Sequence, residues 1–154
     1  MVEKYITKMI RGELVKIKYL EDDFTKSYPS LIKQYALSPD EVRTLVFVTD
    51  HNGEKMPVID AHASEDYKEG AVTHEYLCAI SQRLDEVCGI RTGRNRCADV
   101  ERLVLATFTG NRQAYIKQRK LMFQTVIKFK LNPNPQVVEK MQTALNMLQY
   151  LKSA

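Results

Sequence analysis

Long apolar runs are missing from this chain, cysteine is scarce, and no glycine-rich loop of the kind that cradles phosphates occurs. Runs such as Leu45-Val46-Phe47-Val48 fall far short of the about 20 apolar residues that a membrane-spanning helix needs. No membrane association is expected. Charges at Glu3, Lys4, Lys8 and Arg11 break up the N-terminus, so it lacks the apolar core of a signal peptide, and the expected location is the cytoplasm. Three cysteines, Cys78, Cys88 and Cys97, cannot all pair within one chain, and reduced thiols in a reducing compartment are the simplest reading. His51, His62 and His74 show no metal-ligand spacing, and neither a Ser-His-Asp pattern nor a paired-carboxylate arrangement is present. The sequence therefore predicts no catalytic residues, no metal and no cofactor, and points away from an enzyme.

What is present is an ordinary globular composition, 44% hydrophobic and 27% charged over 154 residues. That length suits a single domain, 1–154, and buries about 70% of the unfolded surface without staples. The formal charge of +4 conceals an asymmetry: residues 38–90 carry 4 basic against 11 acidic side chains, and residues 91–131 carry 10 against 2. A basic block of this kind suits a polyanion. The competing reading is a solvated helix face balanced by the acidic block before it.

Periodicity predicts a helix over 2–20, with Val2, Ile6, Met9, Ile10, Ile17 and Leu20 on one side, although residues 14–19 also alternate as a strand would. A short helix is expected at 30–36. Ser38-Pro39-Asp40-Glu41 is the sharpest local signal: a capping box with proline at the first helical position and acids at the positive end of the dipole. It predicts a helix over 39–50 ended by Asn52-Gly53, with a hairpin through residues 51–54 as the alternative. Residues 57–63 read as a short helix, and 65–70 as a polar connection. Residues 72–87 read as a strong helix buried through Tyr76, Leu77, Ile80, Leu84 and Val87. Residues 88–108 read as a two-stranded ribbon with a basic tip. Thr109 is expected to cap a helix reaching Phe129, and Pro133 and Pro135 break the chain before a last helix over 135–151. There Val137, Met141, Ala144, Leu148 and Leu151 form the narrow stripe of a helix packing along another helix.

Residues 37–113 resemble the winged-helix lobe of the MarR-type transcription regulators. Leu37-Ser38-Pro39-Asp40-Glu41-Val42-Arg43-Thr44-Leu45 is similar to the opening of that family's second helix. Arg83-Leu84-Asp85-Glu86 with Gly89-Ile90 is similar to the end of its recognition helix, and Asp99-Val100-Glu101-Arg102-Leu103 to its wing. The resemblance implies a mainly α fold with a small β-hairpin: a winged helix-turn-helix lobe, 37–109, flanked by long N- and C-terminal dimerisation helices in 1–36 and 110–154. It also implies a cytoplasmic DNA-binding transcription regulator, a homodimer on a pseudo-palindromic site of double-stranded DNA.

On that reading the recognition helix presents Thr73, His74, Ser81, Gln82 and Arg83, Gln82 matching adenine and Arg83 guanine or phosphate. Arg94 and Arg96 at the tip of the wing suit a narrow minor groove. Arg91 and Arg102 are expected to hold phosphate or to pair with an acid such as Asp99 or Glu101. Arg112, Lys117, Arg119 and Lys120 could extend the field, but a solvated helix face is the simpler reading of them. The dimer would be joined through Ile6, Ile10, Ile17, Val137, Met141, Ala144, Leu148 and Leu151. A different class of function, a protein-interaction module with little or no DNA binding, would use the acidic stretch 54–75 as a partner surface. Cys78 and Cys88 lie ten residues apart, about 15 Å on a helix, which is too far for a disulfide. Cys88 and Cys97 could meet across the ribbon as a redox switch, against the simpler reading of idle thiols.

Overall fold

A computed structural model describes residues 1–79 and 96–151. The N-terminal segment is a β-hairpin, not a helix: β1 (Val2–Ile10) runs antiparallel to β2 (Glu13–Asp22). The connection is the two-residue turn Arg11-Gly12, both left-handed at φ 58° and 77°, whose twist matches that of paired strands. Alternation then places Ile10, Ile17 and Tyr19 in the core, the period of two that the helical reading of 2–20 passed over. A short α1 (Phe24–Ser27) and α2 (Pro29–Tyr35) follow.

The capping box at Ser38 forms as expected. Ser38 Oγ accepts from the Glu41 N–H at 3.1 Å, and Glu41 Oε1 accepts from the Ser38 N–H at 2.8 Å. The helix it opens, α3 (Pro39–Thr44), is only six residues long. The remainder of the predicted helix is β3 (Val46–His51), which turns through Asn52-Gly53 (φ 51° and 83°) into β4 (Glu54–Asp60). The β-branched and aromatic run Val46-Phe47-Val48-Thr49 wins over the cap because it pairs with β4. The short helix expected over 57–63 is likewise the end of β4 as far as Asp60, followed by a turn over 61–63. Pro57 falls just before the pairing of β4 with β2 begins at Val58, where a missing ladder N–H is tolerated.

The result is a four-stranded mixed sheet in the order β1-β2-β4-β3, with β2 and β4 parallel. This α/β architecture replaces the expected mainly α fold with a small hairpin. Consecutive residues Tyr19 and Leu20, and Val58 and Ile59, are buried, so both faces of the sheet are covered at this end. The rings of Phe24 and Tyr28 meet Phe47 of β3 there, at 5.1 and 4.5 Å between centroids. On the β1–β2 hairpin Val2, Tyr5, Met9 and Leu14 are exposed.

The helical layer starts at α4 (Glu65–Ala79), seven residues before the expected helix. Ser64 Oγ accepts from the Tyr67 N–H at 3.1 Å, so the polar stretch 65–70 forms the first turns of the helix. Next comes α5 (Arg96–Thr107), where the ribbon's second strand was expected. Its buried residues Ala98, Val100, Glu101 and Val104 recur at helical spacing, and the alternation of Leu103 and Leu105 was a by-product. Residues 80–95 and the rest of the expected ribbon lie outside the described residues. The cap of α6 (Arg112–Lys128) is Asn111, whose Oδ1 accepts from the Ala114 N–H at 3.0 Å, in place of Thr109. The last helix, α7 (Pro135–Leu151), has the predicted bounds. It packs on α5 and α6 of the same chain, burying Ala144 and Leu148 completely. Ile6, Ile10 and Ile17 stand on the hairpin, Val137, Met141 and Leu151 are partly buried on α7, and the long N-terminal helix expected in 1–36 is replaced by the hairpin with α1 and α2. No helix among the described residues is long and apolar enough to cross a membrane.

Candidate functional site

Two polar features stand out against this frame, one inside the helical layer and one on its surface. The inner one lies between α4, α5 and α6. Near the start of α4, Glu69 Oε2 accepts from the N–H and the hydroxyl of Thr109, each at 2.9 Å. Lys8 reaches the same oxygen at 2.5 Å and donates to the Thr107 carbonyl at 2.6 Å. Further along α4, His74 Nδ1 stands 2.9 Å from Glu101 Oε1. The residue number on α5 falls as that on α4 rises, so the two helices are antiparallel.

Glu101 is the centre of this inner cluster. Its carboxylate accepts from Arg119 Nε at 2.6 Å and from the Tyr115 hydroxyl at 2.7 Å. Arg119 Nη1 also donates to the Tyr67 oxygen at 3.4 Å, and the Tyr67 hydroxyl donates to the Thr44 carbonyl. All these side chains are buried. Burial alone would raise the Glu101 carboxyl, but Arg119 and His74 outweigh it and hold it at about 2. Burial disfavours the charged imidazole of His74, and the Glu101 carboxylate reverses that, placing it well above its ordinary value. His74 Nδ1 is close to the carboxylate but poorly aligned, so the contact is an ion pair without a directed hydrogen bond.

The outer feature is a cleft of about 650 Å³ between α3, the loop 61–64 and α6. Tyr67 and Thr44 form part of its wall, so the inner cluster supports it from beneath. Arg43, Lys117, Lys120 and His62 line it with a single carboxylate, Asp40. Lys117, Lys120 and Gln124 recur at three and four residues, on the side of α6 away from buried Ile116, Met122 and Phe123. Arg43 approaches Asp40 only to 3.9 Å, and the exposed His62 lies 3.5 Å from Asp23. Ser64 Oγ donates to Gln118 Oε1 at 2.7 Å and ties the loop to α6.

The sequence-predicted DNA residues are placed differently from expectation. Ser81, Gln82, Arg83, Arg91 and Arg94 lie outside the described residues. Thr73 and His74 are buried, Thr73 Oγ1 donating to the Glu69 carbonyl at 2.6 Å, so neither sits on an open helix side. Arg96 is the first residue of α5, and exposed Arg102 pairs with Asp99 at 2.8 Å, the alternative the sequence had left open. Arg119, expected on a solvated face, is the buried partner of Glu101. Lys117 and Lys120 do reach the surface together. Arg43 joins them only through folding, and no local signal linked it to residues over 70 positions away.

Much of the acidic stretch 54–75 is consumed internally. Asp60 is buried and accepts from the Phe24 N–H at 3.2 Å. Asp66 accepts from the Asn111 N–H at 2.9 Å, and Lys68 lies between Glu21 and Glu65 at 3.2 and 3.4 Å. Among the described residues no group of three His, Cys, Asp or Glu side chains is arranged to hold a metal ion. No family model matches the chain, and neither a curated protein nor a solved structure matches it.

Proposed function

We propose that the protein binds nucleic acid, with the phosphate backbone seated in the cleft between α3 and α6. The observation that carries this reading is the convergence of Arg43, Lys117, Lys120 and His62 on one concavity with Asp40 as the one acid. Lysine ammonium groups and an arginine fork are the side chains that neutralise phosphate, and contacts of this sort position a duplex without reading its sequence. Gln118 and Gln124 add amide donors beside the cations. The net excess of basic residues over 91–131 supports a polyanion partner over a neutral one. The reading keeps the double-stranded DNA partner expected from the sequence and gives up the winged-helix route to it. The acidic stretch offers less to a protein partner, because Asp60, Asp66 and Glu69 are already bonded within the chain.

Fluorescence anisotropy with a mixed-sequence DNA duplex tests the proposal. Three phosphate contacts give an affinity loss of roughly 40-fold between 50 and 200 mM salt. The variant K117E/K120E is expected to lose binding while retaining its circular dichroism spectrum. Equal affinity of the variant and the parent chain, or affinity insensitive to salt, would overturn it.

A further inference from the structure

The antiparallel packing of α4 and α5 brings two cysteines into register. His74 meets Glu101 at 2.9 Å, which fixes the level at which the helices face one another. One turn further along α4 is Cys78, at i+4 from His74; one turn earlier on α5 is Cys97, at i−4 from Glu101. Residues four apart share a helix face, so Cys78 and Cys97 face each other across the same interface, one turn above the ion pair. Both sulfurs are also among the groups that raise the His74 imidazole, in keeping with two thiols beside one small ring. Both cysteines are only partly buried, within reach of a small reactant. The sequence pattern pointed to Cys88 and Cys97 instead, because residues 97–108 read as a strand and hid the match of the two helical faces.

We propose that Cys78 and Cys97 are a redox-active dithiol that exchanges with low-molecular-weight disulfides to form a reversible cross-link between α4 and α5. One protein thiolate attacks a sulfur of the small disulfide; that S–S bond breaks, a mixed disulfide forms and the first small thiolate leaves. The second protein thiolate then attacks the protein sulfur of the mixed disulfide and releases the second small thiolate. One S–S bond is lost and one gained. The two protein thiol protons end on the two released small thiols, and the two electrons given up by the protein reduce the small disulfide. The second step is intramolecular, so its effective concentration is about millimolar or higher and the mixed disulfide is short-lived.

The test uses the full-length chain with glutathione disulfide as the probe, followed by alkylation of remaining thiols, digestion and mass spectrometry. The expected product is a peptide pair joined through Cys78 and Cys97, lighter by two hydrogens than the reduced pair and released by dithiothreitol. The variant C97S is expected to stop at a stable glutathione adduct on Cys78. Linkage of either residue to Cys88, persistent separate adducts on Cys78 and Cys97 in the parent chain, or full alkylation of both after treatment would overturn the proposal. None of these readouts involves nucleic acid, so the dithiol stands or falls apart from the cleft.

Discussion

Arg119 and Glu101 meet at 2.6 Å with both side chains sealed from solvent, and each is the main charge the other sees. Removing one partner leaves the other charged and unpaired in the interior. Arg119→Met is expected to lower unfolding free energy by about 3–5 kcal/mol. Glu101→Leu should act in the same direction. The double variant should lose less than the sum of the two, because no orphaned charge remains between them. Urea unfolding of the four proteins measures this coupling.

The same cluster sets a pH optimum for stability. Glu101 titrates at about 2 when folded against 4.5 when unfolded, so its contribution is present above 4.5 and lost as the pH falls towards 2. His74 is raised above 6.5, so its contribution is complete below that pH and declines as the pH rises through its folded value. Stability from this pair is therefore greatest between 4.5 and 6.5. Thermal melts across pH should show both limbs. Glu101→Gln should remove the acid limb and, with the charge that raises His74 gone, the alkaline limb as well, whereas His74→Gln should flatten the alkaline limb and leave the acid one to Arg119.

Two glycines are expected to resist alanine for different reasons. A Cβ at Gly70 would fall inside the ring of Tyr115, which is fully buried and anchored to Glu101 and has no room to retreat. Gly70→Ala should cost about 1–3 kcal/mol through overpacking. At Gly53 nothing lies within 4 Å of the added carbon, and the strain comes only from φ at +83°. There Gly53→Ala should cost about 1–2 kcal/mol. Paired melts, with a crystal structure of each variant, separate displaced packing from a strained turn.

The capping box at Ser38 predicts a loss of about 1 kcal/mol for Ser38→Ala. Since α3 carries Arg43 into the cleft, the same variant should weaken DNA binding in proportion to the fraying of that helix. Chemical denaturation and anisotropy on one preparation check both.

How far the fold could be read from the residues depended on the range of the forces involved. The cap at Ser38, the break at Pro133–Pro135 and the whole of α7 were legible because they are decided within one or two helical turns. The hairpins were legible only as alternatives, a strand over 14–19 and a turn through residues 51–54. Residues 14–19 fit both periods, and the choice was made by Arg11-Gly12 and by pairing with β4 more than thirty residues on. At 96–108 an alternating run of leucine and valine concealed a helical stripe whose central member is a glutamate, which hydrophobic patterning passes over. The site was half legible: Lys117 and Lys120 sit three residues apart, whereas Arg43 and Arg119 took their roles from tertiary contacts alone.

Lys8 points inward from β1, the outermost strand of the sheet on that side among the described residues, and ends on Glu69 beneath it. A foreign strand extending the ladder at this edge would have to seal a cation and its counter-charge still deeper from water. The lysine is thus an inward-pointing charge on the border strand, a feature that disfavours edge-to-edge addition even where Tyr5 and Met9 stand bare beside it.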